Sequence, residues 1–211
     1  MTRGKFITLE GGEGCGKSTQ ARLLKEALEK EGVDVVLVRE PGGTGLGEKI
    51  RSILKSSDGD SPCDRAELLL FEAARAQLVE KVIKPALEKG QWVISDRFCD
   101  STIAYQGYGR SLPIDVIRRA NEFATDALKI DLTILFDVDP ETARKRMRRR
   151  EDSTGTSADR IECAGEEFHR RLRDGFFALA KEEPERFVCV DANGSEKEVE
   201  DLVWKSLKRI R

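Results

Sequence analysis

Eight residues near the start of the chain have the types and spacing of a phosphate-binding loop. They read GGEGCGKS over residues 11–18, between an apolar run and a helical pattern. In such a loop the glycines let backbone N–H groups turn toward phosphate oxygens, Lys17 supplies a cation for the β and γ phosphates, and Ser18 offers a hydroxyl to Mg²⁺. A glycine-rich turn that only caps a helix explains the glycines but not Lys17 and Ser18 in register. The loop predicts nucleotide binding by Gly11, Gly12, Glu13, Gly14, Cys15, Gly16, Lys17, Ser18 and Thr19.

A second pair of charged residues follows the apolar run at residues 92–94. Asp96 and Arg97 come one residue after that run, at the end of a predicted strand. Asp96 can hold Mg²⁺ directly or through water, and the guanidinium of Arg97 can fork onto a phosphate. A salt bridge between the two at a strand end is the alternative. After a phosphate loop, we favour a metal role for Ser18 and Asp96 and a phosphate role for Arg97.

Five short β-rich runs alternate with helical patterns and must position these residues. Several runs are almost continuously apolar, as expected for strands covered on both faces. Strands joined by helical crossovers form a parallel sheet, and ligands bind at the carboxyl ends of such strands. We therefore expect Gly11, Asp96 and Asp137 at the binding edge. The predicted strands cover residues 5–10, 33–39, 91–96, 131–137 and 186–190.

The helical patterns add three expectations. The longest runs over residues 64–89, with Pro85 as a kink or boundary, and it carries Phe71 and Arg75 on one face. Residues 151–158 have no period and predict a mobile loop after a basic run. A final helix over residues 195–210 is expected to pack its apolar side chains into the core, namely Val199, Leu202, Val203, Leu207 and Ile210.

Composition limits the class of protein. The chain has 211 residues, 36% of them charged, and a formal net charge of −2, which is typical of one soluble domain without a nucleic-acid footprint. The sequence has no long apolar segment, so we expect a cytoplasmic protein with no membrane partner. Five cysteines without a CxxC pair, and a single histidine, indicate neither a zinc site nor a disulfide framework. Cys15 is expected to fill the loop rather than act as a nucleophile.

Further motifs occur in a recognisable order along the chain. They are REPGGT at residues 39–44, DRF at 96–98, STIAYQG at 101–107, IDLT at 130–133 and DRIE at 159–162. Together with the phosphate loop, they make the chain resemble the bacterial thymidylate kinases over nearly its whole length. The resemblance implies a P-loop α/β fold, with a five-stranded parallel sheet between helices in one domain over residues 1–211. It also implies transfer of the γ-phosphoryl group of ATP to dTMP, with Mg²⁺, in dTTP synthesis by a homodimer.

The resemblance assigns roles in an acceptor pocket. It implies that Phe71 stacks on thymine, that Arg75 hydrogen-bonds a base carbonyl, and that Thr102 and Gln106 approach the base edge. The remaining implied contacts are those of Arg51 with the pocket, Arg97 with the acceptor phosphate, Tyr105 with the ribose 2′ position and Glu13 with the sugar 3′-OH. Taken singly, these side chains also fit core aromatics, helix surface or loop charges, and their joint order favours the pocket.

The phosphate loop contains no arginine between residues 11 and 16. The family members that it resembles supply the catalytic arginine from a lid over the donor, here at about residues 145–160. The candidates are Arg146, Arg148, Arg149 and Arg150, with Arg150 the closest match and Arg160 a further one. A basic helix end that complements the helix dipole is the alternative. Residues 191–194 either form a simple turn or lie beside the donor adenine.

Two other functions remain open at this point. A kinase for a different nucleoside monophosphate would keep the loop but need another base pocket. A GTPase-type switch or an ATP-sensing module would change partner affinity without phosphorylating a small acceptor. A GTPase switch should carry a guanine-binding signature of the type Asn/Thr-Lys-x-Asp, which the sequence lacks. Thymidylate phosphorylation is therefore the favoured interpretation.

Overall fold

The computed structural model describes residues 3–56, 61–154 and 165–211. Several elements of the sequence interpretation lie outside these residues: the DRIE motif at 159–162, Arg160, Cys163, and the lid beyond residue 154. The basic run and its following residues are described up to that point. Thr154 ends a helix, so the expected loop over residues 151–158 is wrong for its first four residues, which extend the helix instead.

The described chain contains a five-stranded parallel sheet, as predicted. The order across the sheet is β2-β3-β1-β4-β5, which puts the first strand at the centre. Leu9 pairs with Asp96 on one side of the centre, and Gly11 pairs with Phe136 on the other. The strands match the sequence prediction within two residues: β1 (Phe6–Gly11), β2 (Val35–Arg39), β3 (Trp92–Asp96), β4 (Leu132–Asp137) and β5 (Phe187–Asp191).

Helices connect the strands and cover the sheet. Ser195 and Glu198 form a reciprocal capping box at the start of the last α-helix, and the Thr44 hydroxyl accepts the Gly47 N–H at the start of the second. The helices are α1 (Lys17–Lys30), α2 (Gly45–Lys55), α3 (Asp64–Leu78), α4 (Lys84–Glu88), α5 (Cys99–Thr102), α6 (Ile114–Thr125), α7 (Pro140–Thr154), α8 (Glu166–Glu182) and α9 (Glu196–Ser206).

Two π-helical segments interrupt this pattern. The first, Val79–Ile83, joins α3 to α4, which begins at Lys84, so the predicted boundary at Pro85 is confirmed. Proline has no N–H and its ring crowds the carbonyl four residues earlier, which disrupts regular α-helical bonding there. The second segment, Ile103–Gly109, follows α5 and carries Tyr105 and Gln106. π-Helical turns are frequent at functional sites.

Alternating strand residues pack on opposite faces of the sheet. Ile7 and Leu9 contact the buried face of α1 and of α9, while Phe6, on the opposite face of the sheet, packs with the residues that join α3 to α4. A third cluster joins β4 and β5 to α8 and the second π-helical segment. Val199, Val203 and Leu207 are buried as expected, but Leu202 is 38% exposed, so its assignment to the core was wrong. Within the described residues, no helix is long and apolar enough to cross a membrane.

Candidate active site

A cavity of about 560 Å³ opens at the carboxyl ends of the central strands. This is the edge at which parallel sheets bind ligands, and the volume is typical of a ligand site. The cavity brings together the phosphate loop, the ends of β2 and β3, α3, the second π-helical segment, α7 and the start of α9. The lining includes Glu13, Gly14, Cys15, Gly16, Lys17, Ser18, Thr19, Arg51, Phe71, Arg75, Asp96, Arg97, Thr102, Tyr105, Gln106, Arg146 and Arg150.

The phosphate loop runs from the end of β1 into α1. Gly11 has φ +140°, and a Cβ there would lie 2.5 Å from the carbonyl oxygen of Phe136. Gly14 has φ +70°, and a Cβ there would lie 2.6 Å from the carbonyl oxygen of Ala143 on α7. Only glycine combines these backbone angles with such close approaches. The loop is thus packed between the sheet and the helix that carries the predicted lid arginines.

Lys17 reaches back across the loop that precedes it. Its Nζ donates to the carbonyl oxygens of Gly11 at 3.1 Å and Gly12 at 2.7 Å, and to Sγ of Cys15 at 3.3 Å. The side chain is buried. Gly11 and Gly12 therefore contribute to the site through their carbonyl oxygens, which hold this lysine, and they do not line the cavity themselves. Cys15 is buried and its thiol donates to the Gly12 carbonyl, as expected of a residue that fills the loop.

Ser18 and Asp96 meet where the loop faces the end of β3. The Ser18 hydroxyl donates to Oδ2 of Asp96 at 2.5 Å. A hydroxyl and a carboxylate are the hard oxygen ligands that Mg²⁺ takes from proteins, with phosphate oxygens and waters supplying the rest. No cluster of three or more acidic, histidine or cysteine side chains that could hold a metal occurs in the described parts of the chain. The pair therefore fits a metal that is carried largely by its nucleotide.

Arg97 connects the phosphate loop to the helix that follows β3. It has φ +72°, a sparsely populated conformation for a residue with a side chain. Its Nη1 donates to the Gly11 carbonyl at 2.9 Å and to the Ser101 hydroxyl at 3.2 Å, and its Nη2 donates to Glu13 at 2.5 Å. The guanidinium also lies over the Tyr105 ring, 5.0 Å from its centroid. These contacts fix the direction in which Arg97 presents its charge.

Glu13 is the acidic member of this cluster. Burial opposes its ionisation, but the charges of Arg97 and Lys17 and a hydrogen bond from the Tyr105 hydroxyl outweigh burial and lower its pKa to about 2. Burial raises the pKa of the Tyr105 hydroxyl well above its usual value. At neutral pH the site therefore holds an ionised Glu13 and a neutral Tyr105 that donates to it.

Arg75 lines the cavity from α3, with a relative exposure of 1%. All five of its N–H groups donate within the protein: two to Glu40, one to Glu72, one to Asn121 and one to the Thr102 hydroxyl. The alternative that Arg75 lies on a solvated helix surface, which the sequence left open, is therefore wrong. A bond from Arg75 to a base carbonyl requires one of these donors to be shared.

The acids around Arg75 are deeply buried. Burial raises the pKa of Glu40 to about 7, against the opposing charge of Arg75, and raises that of Glu72 in the same way. One carboxyl oxygen of each is buried without a hydrogen-bond partner among the described residues. Glu40 lies in the REPGGT motif and Glu72 lies three residues before Arg75, so sequence spacing could have suggested both. Nothing in the sequence points to Asn121, which contacts Arg75 because α6 packs against α3.

The other predicted acceptor residues also lie at this end of the cavity. Phe71 lines it one helical turn before Arg75, and Thr102 and Gln106 are buried in its wall. Gln106 donates from its amide nitrogen to Glu67 at 2.8 Å. Arg51 on α2 lines the same space and donates from Nη1 to the carbonyl of Pro41. Sequence reasoning did not find Glu67 or Pro41.

The predicted lid arginines differ in position. Arg146 donates to the carbonyls of Ala192 at 2.8 Å and Gly194 at 3.0 Å, so it ties α7 to the loop over residues 191–194. That loop borders the cavity through Gly194. Arg150 also lines the cavity, and its charge acts on Glu13. Arg148, Arg149 and Arg150 are all exposed, and Arg148 and Arg149 do not line the cavity, as expected of a basic helix surface.

Asp137, at the end of β4, is turned toward α8. Both of its carboxylate oxygens accept hydrogen bonds at 2.8 Å from Arg173 on α8. Asp137 therefore ends β4 at the predicted carboxyl edge of the sheet but does not line the cavity. A strand-end acid cannot be told from sequence to face the ligand or a neighbouring helix.

The chain is similar to known proteins over nearly its full length. The family model described as thymidylate kinase matches residues 9–203. A thymidylate kinase from an Exiguobacterium species is 50% identical over 200 residues, covering 95% of this chain and 92% of the relative. One from a Synechococcus species is 51% identical over 203 residues, covering 96% and 95%.

A solved structure gives the same result. The crystal structure of thymidylate kinase from Ehrlichia chaffeensis matches with a TM-score of 0.76 and 38% identity, covering 97% of this chain and 99% of that one. The fold, its strands and the motifs of the cavity agree with this similarity. The chain belongs to the thymidylate kinase family.

Proposed function

We propose that this cavity transfers the γ-phosphoryl group of ATP to dTMP, giving dTDP and ADP. The observation that supports it best is the convergence of two cations on one backbone oxygen. Lys17 Nζ and Arg97 Nη1 both donate to the Gly11 carbonyl, at 3.1 and 2.9 Å. Two cations held together at the end of a phosphate loop can stabilise the negative charge of a phosphoryl group while it is transferred from one nucleotide to another.

The transfer itself needs no covalent intermediate on the protein. Lys17 neutralises the β and γ phosphates of ATP, and Arg97 holds the acceptor phosphate in line with them. Arg150 lies on the cavity side of α7 and adds positive charge when the lid closes. These three residues are the proposed catalytic group. Thr19 and the loop from Gly11 to Ser18 bind the donor, with Arg146 supporting the wall beside the adenine.

Mg²⁺ would be held by Ser18 and Asp96 together with phosphate oxygens of ATP. When bound, the ion neutralises charge on the β and γ phosphates and helps to orient them. The role of this chain is to keep the hydroxyl and the carboxylate close together at the end of the loop, where their 2.5 Å contact already brings them. Asp96 is rigid there because it belongs to β3.

The acceptor pocket lies between α2, α3 and the second π-helical segment. Phe71 provides a stacking surface for the base, and Gln106 and Thr102 provide polar groups at its edge. Thr102 Oγ1 accepts from Arg75, which leaves the hydroxyl proton to be donated to a base carbonyl. Arg75 thus contributes to base recognition by orienting the Thr102 hydroxyl. It can also contribute directly if one of its N–H groups is shared with the base carbonyl. Arg51 closes the pocket, Tyr105 limits room at the ribose 2′ position, and Glu13 faces the sugar 3′-OH.

A panel of acceptors tests this function. ADP release is measured in a coupled assay with ATP, Mg²⁺ and each of dTMP, dUMP, dGMP and dCMP. We expect the highest kcat/KM for dTMP. A higher kcat/KM for a purine nucleotide or for dCMP would assign the chain to another monophosphate, and ATP hydrolysis that no acceptor stimulates would favour an ATP-driven switch.

We further propose a cytoplasmic homodimer, with the whole chain as one kinase domain and a lid over about residues 145–160. No nucleic-acid or membrane partner is expected for a chain of this composition. The dimer is supported by large apolar side chains that are exposed on α3 and on the two helices that pack against it, α2 and α6. Exposed apolar patches of this kind mark protein interfaces. The side chains are Leu46, Ile53, Leu69, Val116 and Phe123.

A further inference from the structure

A buried acid lies directly behind the base-facing wall of the cavity. Glu67 on α3 has a relative exposure of 0% and accepts a hydrogen bond at 2.8 Å from Nε2 of Gln106. Gln106 lines the cavity and is 1% exposed. Glu67 therefore contacts Gln106 from the side away from the ligand space.

Arg110 holds Glu67 in this arrangement. Its guanidinium lies 3.4 Å from Glu67 and 3.6 Å from Asp64, both on α3, and its Cζ is 5.2 Å from the centroid of the Phe168 ring. A carboxylate paired with a guanidinium accepts hydrogen bonds and has none to donate. The Gln106 amide must then turn its nitrogen to Glu67, which decides the orientation that an isolated amide leaves open.

The amide oxygen of Gln106 is left for the ligand. Among the residues that the structure describes, none donates a hydrogen bond to it, although the side chain is almost completely buried. In the pyrimidine that the proposed pocket takes, thymine and uracil carry an N3–H donor, whereas cytosine carries a bare N3 acceptor. A fixed amide oxygen accepts a hydrogen bond from the N3–H of thymine or uracil and repels the N3 lone pair of cytosine. Buried polar groups that are left unpaired reject a substrate strongly.

We infer that Glu67 is a positioning residue that sets selection of thymine over cytosine, by fixing the Gln106 amide with its oxygen toward the base. This inference rests on the proposed function, since it assumes that a pyrimidine nucleotide occupies the cavity. Glu67 acts through Gln106 and does not line the cavity itself. Without it, the amide rotates and offers its N–H groups to N3 of cytosine.

The test is the ratio of kcat/KM values for dTMP, dUMP and dCMP in Glu67→Leu. The dTMP to dCMP ratio should fall about tenfold or more, which matches the loss of one oriented buried hydrogen bond. The dTMP to dUMP ratio should not change, because both bases present the same N3–H. Asp64→Leu is the matched control: it removes the other α3 carboxylate from Arg110 without touching Gln106, and both ratios should remain at the parent values.

A double-mutant cycle tests whether Glu67 acts through Gln106. Gln106→Met should lower the dTMP to dCMP ratio, and Glu67→Leu added to it should have no further effect on that ratio. If Glu67→Leu does not fold, Glu67→Gln replaces it, because the new amide can donate to Gln106 and permit the rotation. Parallel losses on all three nucleotides, or an equal shift in Asp64→Leu, would overturn the inference. Failure of the parent to phosphorylate any pyrimidine nucleotide would instead overturn the proposed function.

Discussion

Lys17 and Arg97 are two cations that share one backbone acceptor, the carbonyl oxygen of Gly11. Lys17 is buried and has three partners in its own loop. Phosphate oxygens of ATP offer the same lysine a stronger acceptor than neutral carbonyls. The loop therefore holds the cation ready beside the place where charge develops.

Lys17→Ala should lower kcat by ~10²–10³, the usual cost of losing one preorganised electrostatic contact. Steady-state turnover with ATP and dTMP measures the effect, and circular dichroism checks that the variant is folded. Lys25→Ala is the control, since Lys25 lies on the same helix and pairs with Glu29. Turnover at the parent rate in a folded Lys17→Ala protein would remove the phosphate loop from the mechanism.

Arg75 has a structural role that its motif does not reveal. Removing it takes away the cation with which the buried Glu40 and Glu72 are paired. Breaking a buried ion pair in this way costs about 3–5 kcal/mol, whereas an exposed pair contributes about 0–1 kcal/mol. Arg75→Ala should therefore destabilise the fold far more than Arg119→Ala, which breaks an exposed pair with Asp115. Urea unfolding measures both, and equal losses would contradict this role.

At the scale of elements, the sequence predicted all five strands but placed the end of the basic helix α7 four residues too early. Each strand was found from its apolar run, because strands covered on both faces need side chains of that type along their whole length. The end of α7 was missed because residues 151–154 carry no apolar period, although helical hydrogen bonds continue through them. Similarly, Asp137 and Asp96 both end strands, and only tertiary packing decides which one faces the ligand.

Alanine variants of the α7 arginines that line the cavity should differ in kcat or KM from variants of those that do not. Arg150→Ala should lower kcat strongly at saturating ATP and dTMP, with little change in KM for ATP, because its contact forms as charge spreads in the transition state. Arg146→Ala should mainly raise KM for ATP, since Arg146 holds the loop over residues 191–194. Arg148→Ala and Arg149→Ala are matched exposed controls on the same helix. If none of the four lowered kcat by more than about threefold, against ~10³ for arginine fingers, the lid would have no catalytic cation.

The end of β1 carries a buried acid that links it to α5. Glu10 accepts hydrogen bonds from the Phe98 N–H at 2.8 Å and from the Ser101 hydroxyl at 2.5 Å. Burial and the neighbouring Asp100 raise its pKa from 4.5 to about 8. The folded chain thus binds this proton more tightly than the unfolded chain. Because the unfolded chain ionises this residue from about pH 4.5 while the folded chain keeps the proton, the free energy of unfolding falls progressively as pH rises from about 4.5 toward 8.

Glu10→Gln should remove this loss. Relative to the parent, the variant should gain stability between pH 5 and pH 8, measured as the free energy of unfolding in urea at both values. Glu26→Gln on the exposed face of α1 serves as control and should follow the parent. A difference between Glu10→Gln and the parent that does not change with pH would contradict the raised pKa.

At the scale of the whole molecule, the acceptor site and the exposed apolar side chains lie on the same helices. Phe123 on α6 is 89% exposed and Leu69 on α3 is 66% exposed. α3 also carries Phe71 and Arg75, so a partner covering this side would stiffen a wall of the acceptor pocket. Sequence periodicity marks such residues only as apolar, because it cannot separate a core face from an interface.

Phe123→Glu combined with Leu69→Glu should convert the proposed homodimer to a monomer, because charges in an apolar interface are not compensated. Sedimentation velocity at micromolar concentration gives the mass. Leu202→Glu on α9 alters an exposed leucine away from these helices and should leave the dimer intact. A monomeric parent, or a double variant that stays dimeric, would contradict the proposed interface.

The fate of the γ-phosphoryl group tests the proposed transfer most directly. ATP labelled in its γ-phosphate is incubated with the enzyme, Mg²⁺ and dTMP, and the label is followed in dTDP, in inorganic phosphate and on the protein. The proposed direct transfer predicts that label passes from ATP into dTDP in equal amount to the ADP formed, with none retained on the protein. Release of the label as inorganic phosphate irrespective of dTMP, or its retention on the protein, would contradict direct transfer between two nucleotides in this cavity.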